Sequence, residues 1–168
     1  MLAGALIAVP ALAGALAFLL RDDRLRRWLL LVAALVHAGL TVAAWFHRFP
    51  AAPGDWLTLD STGVFFLSIT SLLFLLIALH TAGYLGNEEP HAGTGSQSVF
   101  TGCLLLFLSV MTLVELSAHF GLLWVAVEAT TLASAPLLYH HRSPRSLEAV
   151  WKYLLICSVG IALALLGT

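Results

Sequence analysis

The chain is 168 residues long, and its side chains are 60% hydrophobic and only 10% charged. Soluble domains carry about 25% charged residues, so a soluble globule of this size would leave extensive apolar surface in water. Intrinsic disorder is excluded because disordered chains are poor in apolar residues. A net charge of −1 with no basic face argues against nucleic-acid binding. The composition therefore predicts an integral membrane protein.

The predicted elements follow from the charged residues, which lie in clusters separated by long apolar stretches. A helix needs about 20 apolar residues to cross roughly 30 Å of hydrocarbon. We therefore predict an all-α bundle in which residues 1–168 form a single transmembrane domain. Its six spanning helices are expected, in chain order, at about 2–20, 28–46, 62–85, 97–116, 119–139 and 149–167.

The basic residues predict how these helices are oriented. Six arginines fall in the connections after the first and fifth predicted helices, whereas the connection after the second holds Arg48 alone. Connections rich in arginine face the cytoplasm, so we expect the N-terminus outside and a multi-pass protein of the inner, cytoplasmic membrane. The six arginines are Arg21, Arg24, Arg26, Arg27, Arg142 and Arg145.

Glu128 is a charged residue near the middle of the predicted fifth helix, in LLWVAVEATTLASAPLL. An ionisable side chain at this depth costs about 2.5–3.5 kcal/mol and commonly marks an ion pathway. Helical periodicity places Trp124, Thr131 and Ala135 on the same face, and such neighbours suit a packed or hydrated surface. We favour a role in proton movement over the alternative, a structural hydrogen bond to a neighbouring helix.

Lys152 lies about one turn into the predicted sixth helix, within LEAVWKYLLICSVG. Glu148 precedes it by four residues, a spacing that favours a helical ion pair, and long lysines also reach toward the interface. The spacing alone leaves an interfacial anchor and a functional charge equally open. Because the preceding antiparallel helix carries Glu128, the two charges can interact through water across roughly 10 Å of depth.

Three further ionisable residues lie in the predicted spans. His37 and His80 are expected as neutral histidines bonded to neighbouring hydroxyl or carbonyl groups, with support of a proton path as the alternative. Glu115 is expected to reach the outer interface. The sequence has no CxxC pair, His/Cys cluster or glycine-rich phosphate loop, so we expect no metal or cofactor bound by this chain.

The segment LLWVAVEATTLASAPLL, followed by SLEAVWKYLLICSVGIALALLGT, resembles the antiporter-like subunits shared by respiratory complex I and membrane-bound hydrogenases. Within that group it is most similar to the hydrogenase-4 component F branch. The resemblance implies a proton-translocating membrane subunit in which a glutamate of helix five and a lysine of helix six form a charge pair. Glu128 matches that glutamate and Lys152 that lysine. Glu148, Thr131, His80 and His37 are candidate supporting residues for such a path.

Members of that family are much longer and contain two inverted helix repeats, so the resemblance implies that this chain corresponds to the N-terminal portion of such a subunit. It would be a non-catalytic membrane component, in contact with lipid, other membrane subunits and a peripheral redox module of hydrogenase or dehydrogenase type. Two alternatives are a membrane subunit of a multisubunit cation/proton antiporter or inorganic-carbon uptake complex, and a structural subunit that does not pump.

Overall fold

The computed structural model describes residues 2–46, 56–87, 94–139 and 144–167. All six helices in these ranges are long and apolar enough to cross a membrane, which confirms the predicted all-α membrane bundle. The described ranges contain no β-strand, and only an isolated bridge joins Leu57 to Ser117. The helices are α1 (Leu2–Leu19), α2 (Asp23–Phe46), α3 (Ser61–Asn87), α4 (Thr94–Leu116), α5 (Phe120–Leu138) and α6 (Pro144–Leu166).

Two helices begin five residues before their predicted apolar segments. Hydropathy reports which residues lie in the hydrocarbon layer, whereas capping residues determine where a helix begins. The second helix begins at Asp23 rather than 28, and the Asp22 carboxylate accepts a hydrogen bond from the Arg24 backbone N–H, as a helix cap does. The sixth helix begins at Pro144 rather than 149, and proline is favoured at a first helical position. The first turns of both helices therefore carry charged residues.

One end of the bundle is closed by contacts between two connections, residues 56–60 and 117–119. The Ala118 backbone N–H donates to the Trp56 carbonyl over 3.0 Å, and the rings of Trp56 and His119 stack with centroids 5.1 Å apart. The link between α2 and α3 and the link between α4 and α5 thus lie on the same side. We call this side the corner end and the opposite side, with residues 20–27, the arginine end.

The corner end is the side predicted to face outward, and the arginine end the side predicted to face the cytoplasm. Of the arginines behind that prediction, Arg48 and Arg142 lie outside the described residues. Arg26 is buried, because its guanidinium binds Asp23 and the Leu20 carbonyl within the turn between α1 and α2. The orientation stays a prediction.

The core is centred on α4, which contacts α1, α2, α3 and α5, whereas α6 contacts α5 alone among the described helices. Small residues let α1 and α4 approach closely. A Cβ atom added at Gly14 would lie 3.1 Å from the Gly102 carbonyl oxygen. The largest buried apolar cluster joins the first four helices, and its members are Ala13, Ala17, Leu30, Ala33, Ala34, Phe74, Ala78, Leu104, Leu105 and Leu108.

Candidate functional site

Glu128 lies near the middle of α5, eight residues after Phe120 and ten before Leu138. At 1.5 Å per residue this is about 12 Å from one helix end and about 15 Å from the other. Its side chain is half-buried, and its Oε1 accepts a 2.5 Å hydrogen bond from the Ser158 hydroxyl of α6. The carboxyl group is therefore held at the contact between two spanning helices.

Hydroxyl groups continue this contact toward the arginine end. The Thr131 hydroxyl donates to the Glu128 backbone carbonyl over 2.7 Å, and the Ser134 hydroxyl donates to the Thr131 carbonyl over 2.9 Å. Because the Ser134 proton is used in that bond, the Tyr153 hydroxyl is the donor in its 2.9 Å contact with Ser134. We call Thr131, Ser134, Tyr153 and Ser158 the α5–α6 seam. Its two contacts between the helices, Ser158 with Glu128 and Tyr153 with Ser134, follow the antiparallel order of α5 and α6.

The face of α5 predicted around Glu128 packs inside the bundle. Thr131 and Ala135 are buried, with 7% and 8% of their surface exposed. Trp124 is half-buried, and its indole N–H has no hydrogen-bond partner among the described residues. The seam residues Ser134, Tyr153 and Ser158 were not predicted, because single serines and a tyrosine in apolar helices are ordinary packing residues without their tertiary contacts.

Lys152 and Glu148 form the ion pair that their spacing predicts, with 2.5 Å between Nζ and Oε1. Their side chains are 69% and 64% exposed, on a part of α6 that no other described helix covers. Because α6 begins at Pro144, Lys152 lies eight residues, or about two turns, into the helix instead of one. The described contacts of Glu128 do not include Lys152, which lies six residues before Ser158 and so about 9 Å away along α6.

His37 is fully buried where α2, α3 and α4 meet. Its Nδ1 lies 3.1 Å from the Ser71 hydroxyl, and its Nε2 lies 3.0 Å from the Thr112 hydroxyl. The Thr112 proton is donated to the Leu108 carbonyl over 2.8 Å, so Thr112 accepts from Nε2–H and Ser71 donates to Nδ1. A neutral imidazole satisfies all of these bonds. This geometry agrees with the expectation of a neutral histidine bonded to neighbouring hydroxyl groups.

His80 is exposed on α3 and has no hydrogen bond within the part of the chain that the structure describes. Neither His80 nor His37 contacts the α5–α6 seam in that part of the chain. The structure thus brings together Glu128 and Thr131 at the seam, pairs Lys152 with Glu148 beside it, and keeps both histidines apart from it.

Glu115 is a second carboxyl group within a spanning helix, one residue before α4 ends at Leu116. Its Oε1 accepts a hydrogen bond from the Thr70 hydroxyl of α3, and its Oε2 is buried without a partner among the described residues. It lines a cavity of about 500 Å³ at the corner end, together with Asp60 and Ser117. This pairing of α3 with α4 has no signature in the sequence, because 45 residues separate Thr70 from Glu115.

Curated relatives match the chain along its length. The hydrogenase-4 component F homolog of Methylacidiphilum infernorum is 29% identical over 170 aligned residues, which cover all of this chain and 35% of that protein. NADH-quinone oxidoreductase subunit N of Methylococcus capsulatus is 29% identical over 151 residues, covering 88% of this chain and 29% of that protein. NADH-ubiquinone oxidoreductase chain 2 of Saccopteryx bilineata is 35% identical over 69 residues, covering 41% of this chain and 20% of its own length.

No protein-family model matches the chain, and no solved structure matches it significantly. The chain spans about a third or less of the length of these curated relatives. Their names are those of a hydrogenase-4 component and of NADH-quinone and NADH-ubiquinone oxidoreductase chains, in agreement with the resemblance of the motifs around Glu128 and Lys152. The chain is thus similar to the antiporter-like membrane subunits of complex I and hydrogenases, and its six apolar helices agree with that similarity.

Proposed function

We propose that this chain is part of a proton-translocating subunit in a membrane-bound hydrogenase or NADH-quinone oxidoreductase-like complex of the inner membrane. The observation that carries the proposal is Glu128, a carboxyl group held in mid-helix against the Ser158 hydroxyl of α6. A carboxyl group at that depth is costly to retain, so it is found mainly where it moves or binds an ion.

The α5–α6 seam supplies groups that can pass a proton to and from Glu128. A hydroxyl both donates and accepts a hydrogen bond, so it can take a proton on one side and release one on the other. Ser158 contacts the carboxyl group directly. Ser134 lies six residues, about 9 Å, from Glu128 along α5, and its partner Tyr153 lies five residues, about 7.5 Å, from Ser158 along α6. Water between these groups completes the proposed path.

Lys152 is the second charge of the proposed mechanism. Its ammonium group is held by Glu148 and lies about 9 Å along α6 from the Ser158 contact. We propose that Lys152 exchanges between Glu148 and the seam, where its positive charge would interact with Glu128. Redox events in other subunits would drive this exchange, and no cofactor is assigned to this chain.

The exposed face of α6 supports the assignment of partner subunits. Lys152 and Glu148 lie on it together with Trp151, which is 61% exposed, and Ile156, which is 73% exposed. Charged residues within a span avoid lipid and face protein or water. Further membrane helices, contributed by other chains or by the rest of a longer subunit, would cover this face, and a peripheral redox module would complete the complex.

The proposal is tested by Glu128→Gln in the native complex, in membrane vesicles that report proton uptake with a fluorescent pH dye. Glutamine keeps an oxygen that accepts from Ser158, so the complex should assemble while losing the titratable group. We expect electron transfer to continue at assembly-matched levels and proton uptake to fall to background.

Asp60→Asn is the matched control. Asp60 is a carboxylate outside the seam, bonded to the backbone N–H of Gly63 over 2.8 Å at the start of α3, and asparagine also accepts this bond. We expect unchanged proton uptake in this variant. Normal proton uptake by Glu128→Gln would overturn the proposal and favour a structural subunit.

A further inference from the structure

A small basic cavity lies at the arginine end, between α2 and α3 and away from the α5–α6 seam. Its volume is about 310 Å³, and it is lined by Arg24, Arg27, Trp28 and Leu31 of α2 and by Ala82 of α3. It combines two positive charges with an aromatic and an aliphatic wall. Nothing in the proposed proton path uses this cavity.

The two arginines that line the cavity are not engaged by any residue that the structure describes. Arg26, between them in sequence, is 5% exposed and bound to Asp23 and to the Leu20 carbonyl. By contrast, the guanidinium groups of Arg24 and Arg27 form no hydrogen bond or ion pair within the described ranges. One arginine therefore stabilises the turn, and two remain available to a ligand.

Asp22 and Asp23, the acidic residues beside this pair in the described sequence, do not neutralise it. Asp23 is bound to Arg26, and the Asp22 carboxylate caps α2 through the Arg24 backbone N–H. Residues 21–27 hold four arginines and two aspartates, a net charge of +2. The cavity is thus electrostatically suited to an anion.

The lining changes from polar to apolar along the helix axis. Arg24 and Arg27 lie one and four residues after Asp23, the first residue of α2, whereas Leu31 lies about 6 Å deeper than Arg27. Trp28 is 67% exposed between these levels, the position that indole favours at a membrane interface. Ala82 of α3 has too small a side chain to close the groove from the other side.

We propose that this cavity binds the phosphodiester headgroup of an anionic phospholipid. Arg24 and Arg27 would hold the phosphate, since guanidinium groups bind phosphate oxygens through paired hydrogen bonds. One acyl chain would lie along Trp28 and Leu31 toward the hydrocarbon. Basic pockets between spanning helices are known to recognise anionic headgroups in this way.

The test uses the full chain in phosphatidylcholine vesicles, with brominated phosphatidylglycerol or brominated phosphatidylcholine as the quencher of tryptophan fluorescence. Subtracting the signal of Trp28→Phe isolates the tryptophan in the cavity. Each arginine should favour the anionic lipid roughly 5-fold, so we expect a selectivity of roughly 25-fold at Trp28. Unlabelled phosphatidylglycerol should relieve the quenching, and unlabelled phosphatidylcholine should not.

Two double variants with equal charge loss separate the cavity from general surface charge. Arg24→Gln with Arg27→Gln should bring the selectivity close to 1, whereas Arg21→Gln with Arg145→Gln, outside the cavity, should leave most of it. Arg24→Lys with Arg27→Lys should retain an intermediate selectivity.

Equal loss in both glutamine pairs would overturn the proposal, as would no selectivity in the wild-type chain. Relief of quenching by inorganic phosphate would also overturn it, because the site would then take soluble anions. This experiment does not measure proton uptake by the complex. Failure of the lipid-binding proposal therefore does not affect the proposed function, which is tested separately by proton uptake.

Discussion

The buried imidazole of His37 joins three helices, and its replacement measures how strongly side-chain hydrogen bonds hold them together. The ring contacts Ser71 of α3 and Thr112 of α4, and both hydroxyl residues are themselves buried. His37→Leu replaces the imidazole by an apolar side chain of comparable size and removes both interhelical bonds. Its effect on the free energy of unfolding is therefore a direct test of the junction.

The expected magnitude follows from the number of bonds and their environment. Hydrogen bonds between membrane helices contribute on average about 0.6 kcal/mol, with a maximum of about 1.7 kcal/mol. The His37 site is fully buried, with 0% of its surface exposed, so no outside water replaces the lost partners. We expect His37→Leu to lower the free energy of unfolding by about 1–3 kcal/mol.

The assay is unfolding by SDS in mixed micelles, followed by far-ultraviolet circular dichroism. His80→Leu is the matched control, because His80 is exposed and without a hydrogen bond in the described part of the chain, and it should change stability by less than about 0.5 kcal/mol. Double-mutant cycles of His37→Leu with Thr112→Val and with Ser71→Ala should each give a coupling of about 0.6 kcal/mol. Equal stability of the two leucine variants, with no coupling in either cycle, would refute the reasoning.

Three further outcomes are expected. Ser158→Ala removes the hydrogen bond to Glu128 and should lower the free energy of unfolding by about 0.6–1.7 kcal/mol. Unchanged stability of this variant in the same SDS titration would contradict the seam contact. Lys152→Gln breaks an ion pair with Glu148 that is about two-thirds exposed, so it should change stability in micelles by less than about 1 kcal/mol while lowering proton uptake by the complex. Gly14→Ala places a Cβ 3.1 Å from a carbonyl oxygen of α4 and should lower stability by about 1–3 kcal/mol. Gly39→Ala, with open space around it, should not lower stability. Equal effects of the two variants would argue against close packing of α1 on α4.

The fold class was predictable because the bilayer imposes a simple rule on composition. Apolar segments of about 20 residues become spanning helices whatever their detailed sequence, and all six expected helices are present. Helix ends were less predictable, since α2 and α6 extend beyond their apolar segments through a capping aspartate and an initial proline. Local capping and bilayer depth are separate physical effects, and hydropathy reports only the second.

The candidate site was predictable only in its charges. Glu128 and Lys152 stand out because ionisable residues in a span are costly, and the Lys152–Glu148 pair follows from a four-residue spacing. The hydroxyl partners Ser158 and Tyr153 did not stand out, because serine and tyrosine cost little free energy at a helix interface. Their roles depend on the residues that they contact on the neighbouring helix.

The sequence by itself thus determined that this protein lies in the membrane, where the six spanning helices of the described ranges lie and which two charges are costly in a span, since each depends on free energies of transfer that are nearly local. Only the tertiary structure decided that Glu128 meets Ser158, that His37 joins α2 to α3 and α4, and that Arg26 is bound while Arg24 and Arg27 remain available. These outcomes depend on which helix faces which. That choice is made by packing between residues far apart in the chain, such as His37 and Thr112, which are 75 residues apart.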